Sequence, residues 1–117
     1  MLAVAPAPVE QIFSALGDPV RFTIVEHLAT RNDATVNDLA ALFSISLQAV
    51  SRHIKVLEAA GVVTQGRDGR QRPVSLRPAG IAAAYDWLET RHLQLESRYS
   101  RLDQLLANLP EGTAGSA

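Results

Sequence analysis

Two amphipathic helical stripes lie between Thr35 and Gly61, with only Ser44 and Ile45 linking them and Ser46 placed to cap the second. Val36, Leu39, Ala40 and Phe43 form the first stripe; Val50, Ile54 and Leu57, spaced i, i+4, i+7, form the second. Thr35 and Asp38 have the spacing of a capping box, with Asp in place of the usual Glu or Gln. The first helix is predicted to run to about Phe43 and the second over 46–60, with Gly61 as its C-terminal stop. A link this short between two short helices is the pattern of a helix-turn-helix.

The flanks extend that unit. Ile12, Phe13 and Leu16 predict a short helix over 9–16, which Gly17 ends. Asp18-Pro19 restarts it, because Asp accepts from free helix amides and Pro has no amide to leave unpaired. Ile24, Val25 and Leu28 give this helix its apolar stripe, and Thr30 to Ala34 form a polar loop. After Gly61 the period changes. Val62 to Gln65 and Arg72 to Leu76 read as two strands around Asp68-Gly69, a strong hairpin signal. Pro73 has no donor, so the second strand is expected to have an open edge there. Pro78 opens a helix to about Leu109, a rod of roughly 45 Å. The predicted fold is mainly α with a small β-hairpin wing, in the order ααααββα, over residues 9–109. Residues 1–8 are expected to be a flexible arm and 110–117 a disordered tail.

The helix over 46–60 has a chemically distinct outer face. At ~100° per residue, Gln48, Ser51, Arg52 and Lys55 cluster opposite its apolar stripe. Arg pairs guanine and Gln pairs adenine through two hydrogen bonds each, while Ser and Lys suit phosphates or single base edges. The alternative is a solvated helix face. The hairpin favours DNA: Arg67, Arg70 and Arg72 flank the turn with Asp68 as the one nearby carboxylate. A basic ribbon beside a reading helix can clamp phosphates or enter a minor groove. The candidate DNA-binding residues are therefore Ser46, Gln48, Ser51, Arg52, His53 and Lys55 on the helix, with Arg67, Arg70 and Arg72 on the wing. His53 lies at the edge of the apolar stripe, so a boundary or phosphate role suits it better than base reading.

Charge placement agrees. The net charge is -1, yet residues 41–80 carry six basic side chains (Arg52, Lys55, Arg67, Arg70, Arg72, Arg77) against Glu58 and Asp68. The chain has no cysteine, which removes disulfides and thiolate metal sites and fits a cytoplasmic protein. It lacks an apolar run long enough to span a bilayer, and its first residues do not read as a signal peptide. The sequence also lacks a Gly-rich phosphate loop or nucleophile motif, so no enzyme is expected.

The last helix carries a heptad seam. Ile81, Leu88, Leu95, Leu102 and Leu109 interleave with Tyr85, His92, Tyr99 and Leu106. This is more apolar face than one small domain covers, so a homodimer through this helix is expected, with the N-terminal helix contributing; the alternative is a seam that packs only on the protein's own core. A dimer would read two half-sites about one DNA turn (~34 Å) apart in a palindromic operator.

The segments ALGDPVRFTIVEHL, TVNDLAALFSISLQAVSRHIKVLEAAGVV and GRDGRQRPVSLRPAG resemble the ArsR/SmtB-type winged-helix repressors. The resemblance runs from about residue 10 into the last helix. It implies a homodimeric bacterial regulator that represses its own or a neighbouring operon and is released by an inducer. It places Gln48, Ser51, Arg52 and His53 where the family's recognition helix meets DNA. Where the metal-sensing branch has cysteines, this chain has Thr35 and Asn37. Another branch binds metal on the last helix. Here that helix has Asp86, Glu89, His92 and Glu96; His92 and Glu96 have a ligand spacing, but the family's paired pattern is missing. The resemblance is therefore to the subgroup without metal ligands, with no cofactor expected and the small-molecule inducer unidentified. Two rival readings stay open: a winged-helix protein-interaction adaptor, and a non-specific architectural DNA binder.

Overall fold

The computed structural model describes residues 7–66 and 72–109. Its elements are α1 (Val9–Leu16), α2 (Pro19–Ala29), α3 (Val36–Ala40), α4 (Leu47–Ala59), β1 (Val63–Gln65), β2 (Val74–Leu76) and α5 (Pro78–Ala107). The chain divides into two compact units, residues 1–84 and 85–117. The first contains every element up to the opening turns of α5. In the second, the described residues are helical from Tyr85 to Ala107.

Helices α2, α3 and α4 each start at a side-chain cap, whereas α1 has none. Pro8, expected to belong to the arm, is the N-cap of α1, and its carbonyl accepts from the Gln11 amide at 3.0 Å. Asp18 Oδ2 accepts from the Val20 and Arg21 amides at 2.9 and 3.1 Å. Thr35 and Asp38 complete a reciprocal capping box at 3.0 and 3.1 Å. Ser46 Oγ accepts from the Ala49 amide at 3.1 Å. At the other end of α4, the Gly61 amide bonds the Glu58 carbonyl and the Val62 amide bonds that of Leu57. With Gly61 at φ 78°, this is a Schellman stop.

Two expectations need correction. The third helix ends at Ala40, not near Phe43. Beyond Ala41 the bonding tightens to i→i−3, with the Leu42 amide on Leu39 and the Phe43 amide on Ala40. That tighter winding still leaves Phe43 packed on the core. The outer edge of the second strand is also only partly open. Pro73 accepts from the Gly66 amide at 2.7 Å and donates nothing, but the next residue, Val74, exchanges both backbone bonds with Ala34 at 2.8 and 3.0 Å. The hairpin is antiparallel, with Val63 opposite Leu76 and Gln65 opposite Val74. The Asp68-Gly69 turn, the arm over residues 1–6 and the tail over 110–117 lie outside the described residues.

One core joins these pieces. Ile24, Leu28, Leu39, Val50, Ile54, Leu57, Val62, Val63 and Val74 are its largest fully buried side chains. The start of α5 closes it through a backbone-to-backbone approach. Gly80 is buried against the Gly61 carbonyl, and a Cβ at this position would also lie 2.9 Å from Gly61 C and 3.2 Å from Val62 Cα. The Arg77 amide bonds the Val62 carbonyl at 2.8 Å beside this contact.

Candidate nucleic-acid interface

The reading helix is fixed by what it buries. Val50, Ile54 and Leu57 are essentially inaccessible, which sets the rotation of α4 about its own axis. That rotation leaves Gln48, Arg52 and Lys55 exposed and Ser51 half-buried. The structure thus places the predicted polar residues together on the outward side. Ser46 is exposed, and its Oγ is engaged in capping.

His53 points another way. Its Nδ1 lies 3.2 Å from Arg21 Nη1 and 3.7 Å from Asp18 Oδ2, and its side chain is half-buried. A guanidinium only donates, so the Arg21 contact requires an unprotonated Nδ1. Arg21 also donates from Nε to the Ala15 carbonyl at 2.8 Å and from Nη2 to that of Ser14 at 3.4 Å. His53 and Arg21 therefore tie α4 to the α1–α2 corner. Sequence reading did not single out Arg21. Its signal was the position three residues after the Asp18 cap.

Two carboxylates in this unit are held below their ordinary value of 3.8. The Arg21 backbone amide does most for Asp18, helped by the Val20 amide and the Arg21 and His53 charges, against a smaller effect of burial. For Asp38 the Thr35 backbone amide acts first, followed by the Thr35 hydroxyl.

On the wing, Arg72 is exposed just before β2; Arg67 and Arg70 lie outside the described residues. On α5, the seam residues Ile81, Tyr85, Leu88, His92, Leu95, Tyr99, Leu102, Leu106 and Leu109 are all exposed. Tyr85 donates to Glu89 at 2.9 Å, which raises its phenol pKa, and Arg91 sits 5.0 Å from the Trp87 ring centre. His92 and Glu96 meet at 3.4 Å. Among the described residues, no group of three or more such side chains could hold a metal ion, and no helix is long and apolar enough to cross a membrane.

A two-helix reader with a hairpin behind it and a basic, hydrogen-bonding outer face defines a winged helix-turn-helix DNA-binding protein. Residues 16–66 match the helix-turn-helix domain family. The chain is 41% identical over 69 residues to the uncharacterized HTH-type transcriptional regulator YuzN of Bacillus subtilis, covering 54% of this chain and 75% of that protein. It is 31% identical over 77 residues to the transcriptional repressor SdpR of the same organism, covering 66% and 84%. The crystal structure of an ArsR family transcriptional regulator, RHA00566, superposes with a TM-score of 0.69 at 32% identity, over 80% of this chain and 98% of that one. The chain belongs to the ArsR/SmtB family of winged-helix transcriptional regulators.

Proposed function

We propose that this protein is a homodimeric repressor of its own or a neighbouring operon, acting in the cytoplasm. It reads a palindromic operator with α4 and steadies the duplex with the wing. One observation carries the reading: α4 buries Val50, Ile54 and Leu57 completely while turning Gln48, Arg52 and Lys55 outward. Gln48 and Arg52 supply two-bond base recognition, and Lys55 and Ser51 supply phosphate or single-edge contacts. Arg67, Arg70 and Arg72 add phosphate contacts from the wing. Self-association is supported by the seam from Ile81 to Leu109, whose leucines and tyrosines are 41 to 64% exposed in the single chain. A small-molecule inducer that alters the spacing of two reading helices would release DNA.

The test is fluorescence anisotropy of a labelled duplex from upstream of the gene, at two salt concentrations and with scrambled duplex as competitor. A specific repressor resists the competitor and binds as one dimer per site. Arg52→Glu should weaken that binding by about 10- to 100-fold, the range of one lost bidentate contact. Binding that scrambled DNA abolishes indicates an architectural protein, and no binding at low salt indicates a protein adaptor. Leu95→Glu in mid-seam should give a monomer in sedimentation velocity; a variant that remains dimeric overturns the seam.

A further inference from the structure

Val50, Ile54 and Leu57 of α4 are buried, yet two other aliphatic residues of the helix, Leu47 and Val56, are 44 and 43% exposed. Leu47 is the first helical residue, directly after the Ser46 cap. It is preceded by two more uncovered aliphatics in the turn from α3, Leu42 at 41% and Ile45 at 40%. The amino end of a reading helix is the part that meets base edges. Leu47 lies ~20° around the helix from Ile54 and ~40° from Ser51, so it sits where the apolar stripe meets the polar face, at the amino end of the helix.

We propose that Leu47 is a specificity-determining residue that reads the C5-methyl group of a thymine in the major groove. The inference rests on the operator-reading function above. A leucine offers no hydrogen bond, so on a base edge it recognises only apolar surface. The thymine methyl is the apolar group that the major groove displays. Gln48 and Arg52 contribute hydrogen-bonded recognition of adenine or guanine, and Leu47 extends the read sequence to an adjoining thymine. Val56 has similar exposure but lies in the last third of the helix, beyond the amino end that meets base edges.

The experiment uses the full chain and a duplex enriched from a random-sequence library. Each thymine of the enriched site is replaced in turn by deoxyuridine, which removes only the methyl. Wild type should lose about fourfold in affinity at one thymine per half-site, the loss of one buried methyl. Leu47→Ala should bind the thymine and deoxyuridine duplexes equally, while Val56→Ala should keep the fourfold preference. A site with no deoxyuridine-sensitive thymine overturns the proposal. So does a preference that survives in Leu47→Ala. A library that yields no common sequence overturns the operator reading itself, and the methyl contact with it.

Discussion

Gly80 is where the start of α5 meets the turn that ends α4, and Gly80→Ala measures how tightly the two are joined. In an unconstrained helix interior this substitution stabilises by about 1 kcal/mol, because glycine gives up more backbone freedom on folding. Here the new methyl falls well inside van der Waals contact distance of the Gly61 carbonyl oxygen, 2.9 Å from Gly61 C and 3.2 Å from Val62 Cα. All three neighbours are backbone atoms of a Schellman turn, so no side chain can rotate away. Relief requires moving the first turn of α5, which strains the Arg77–Val62 hydrogen bond at 2.8 Å. Overpacking costs about 1–3 kcal/mol and a lost hydrogen bond about 1 kcal/mol. After the propensity gain, the net destabilisation is about 1–3 kcal/mol. Urea unfolding followed by circular dichroism at fixed protomer concentration reads this directly, since an associating chain has a concentration-dependent midpoint. Thermally the loss corresponds to a fall of about 5–20 °C. Ala83→Gly, an exposed position one turn further along α5, is the control and should cost about 1 kcal/mol. A Gly80→Ala protein as stable as wild type, or more so, would refute the close approach.

Asp18 and Asp38 have folded-state pKa values below their ordinary 3.8, so their caps stabilise fully above that value and are lost as pH falls through the depressed folded values. Urea midpoints should therefore drop on acidification below about pH 4. Asp18→Asn and Asp38→Asn, which keep a capping oxygen but cannot titrate, should each reduce that drop; an unchanged pH profile would count against the caps as its source. Arg21→Ala should lower stability by about 1 kcal/mol, because the Ser14 and Ala15 carbonyls and His53 each lose a donor from one guanidinium. A double-mutant cycle with His53→Ala should return a coupling of at least about 0.5 kcal/mol, and strict additivity would show that the histidine contact contributes nothing.

The helix order and most of the core follow from periodicity and capping residues, since both are local. Asp18, Thr35 and Ser46 start their helices through bonds to amides two or three residues away, so spacing alone locates them. The outward face of α4 follows from Val50, Ile54 and Leu57 by the same arithmetic. Local pattern misses contacts made across long sequence separations. Gly80 reads as a weak helix residue until Gly61 lies against it. Arg21 reads as a surface charge until His53, thirty-two residues later, receives its guanidinium. The early end of α3 was hidden because Phe43 continues the apolar stripe while the backbone has already changed its bonding. Leu47 went unnoticed because, three residues before Val50, it reads as more of the apolar stripe, and spacing does not reveal its 44% exposure.

The bridge between Ala34 and Val74 has a mechanical meaning for the wing. Val74 turns both its N–H and its C=O away from β1, and both are taken by Ala34, the last residue before the Thr35 cap of α3. Both residues are buried, so breaking the bridge strands polar groups away from water at about 1–3 kcal/mol each. The root of the ribbon is thus pinned to the front of the two-helix reader. A force applied at β2 is therefore delivered to the start of α3, and hinging at the hairpin's foot would require breaking both bonds of the bridge.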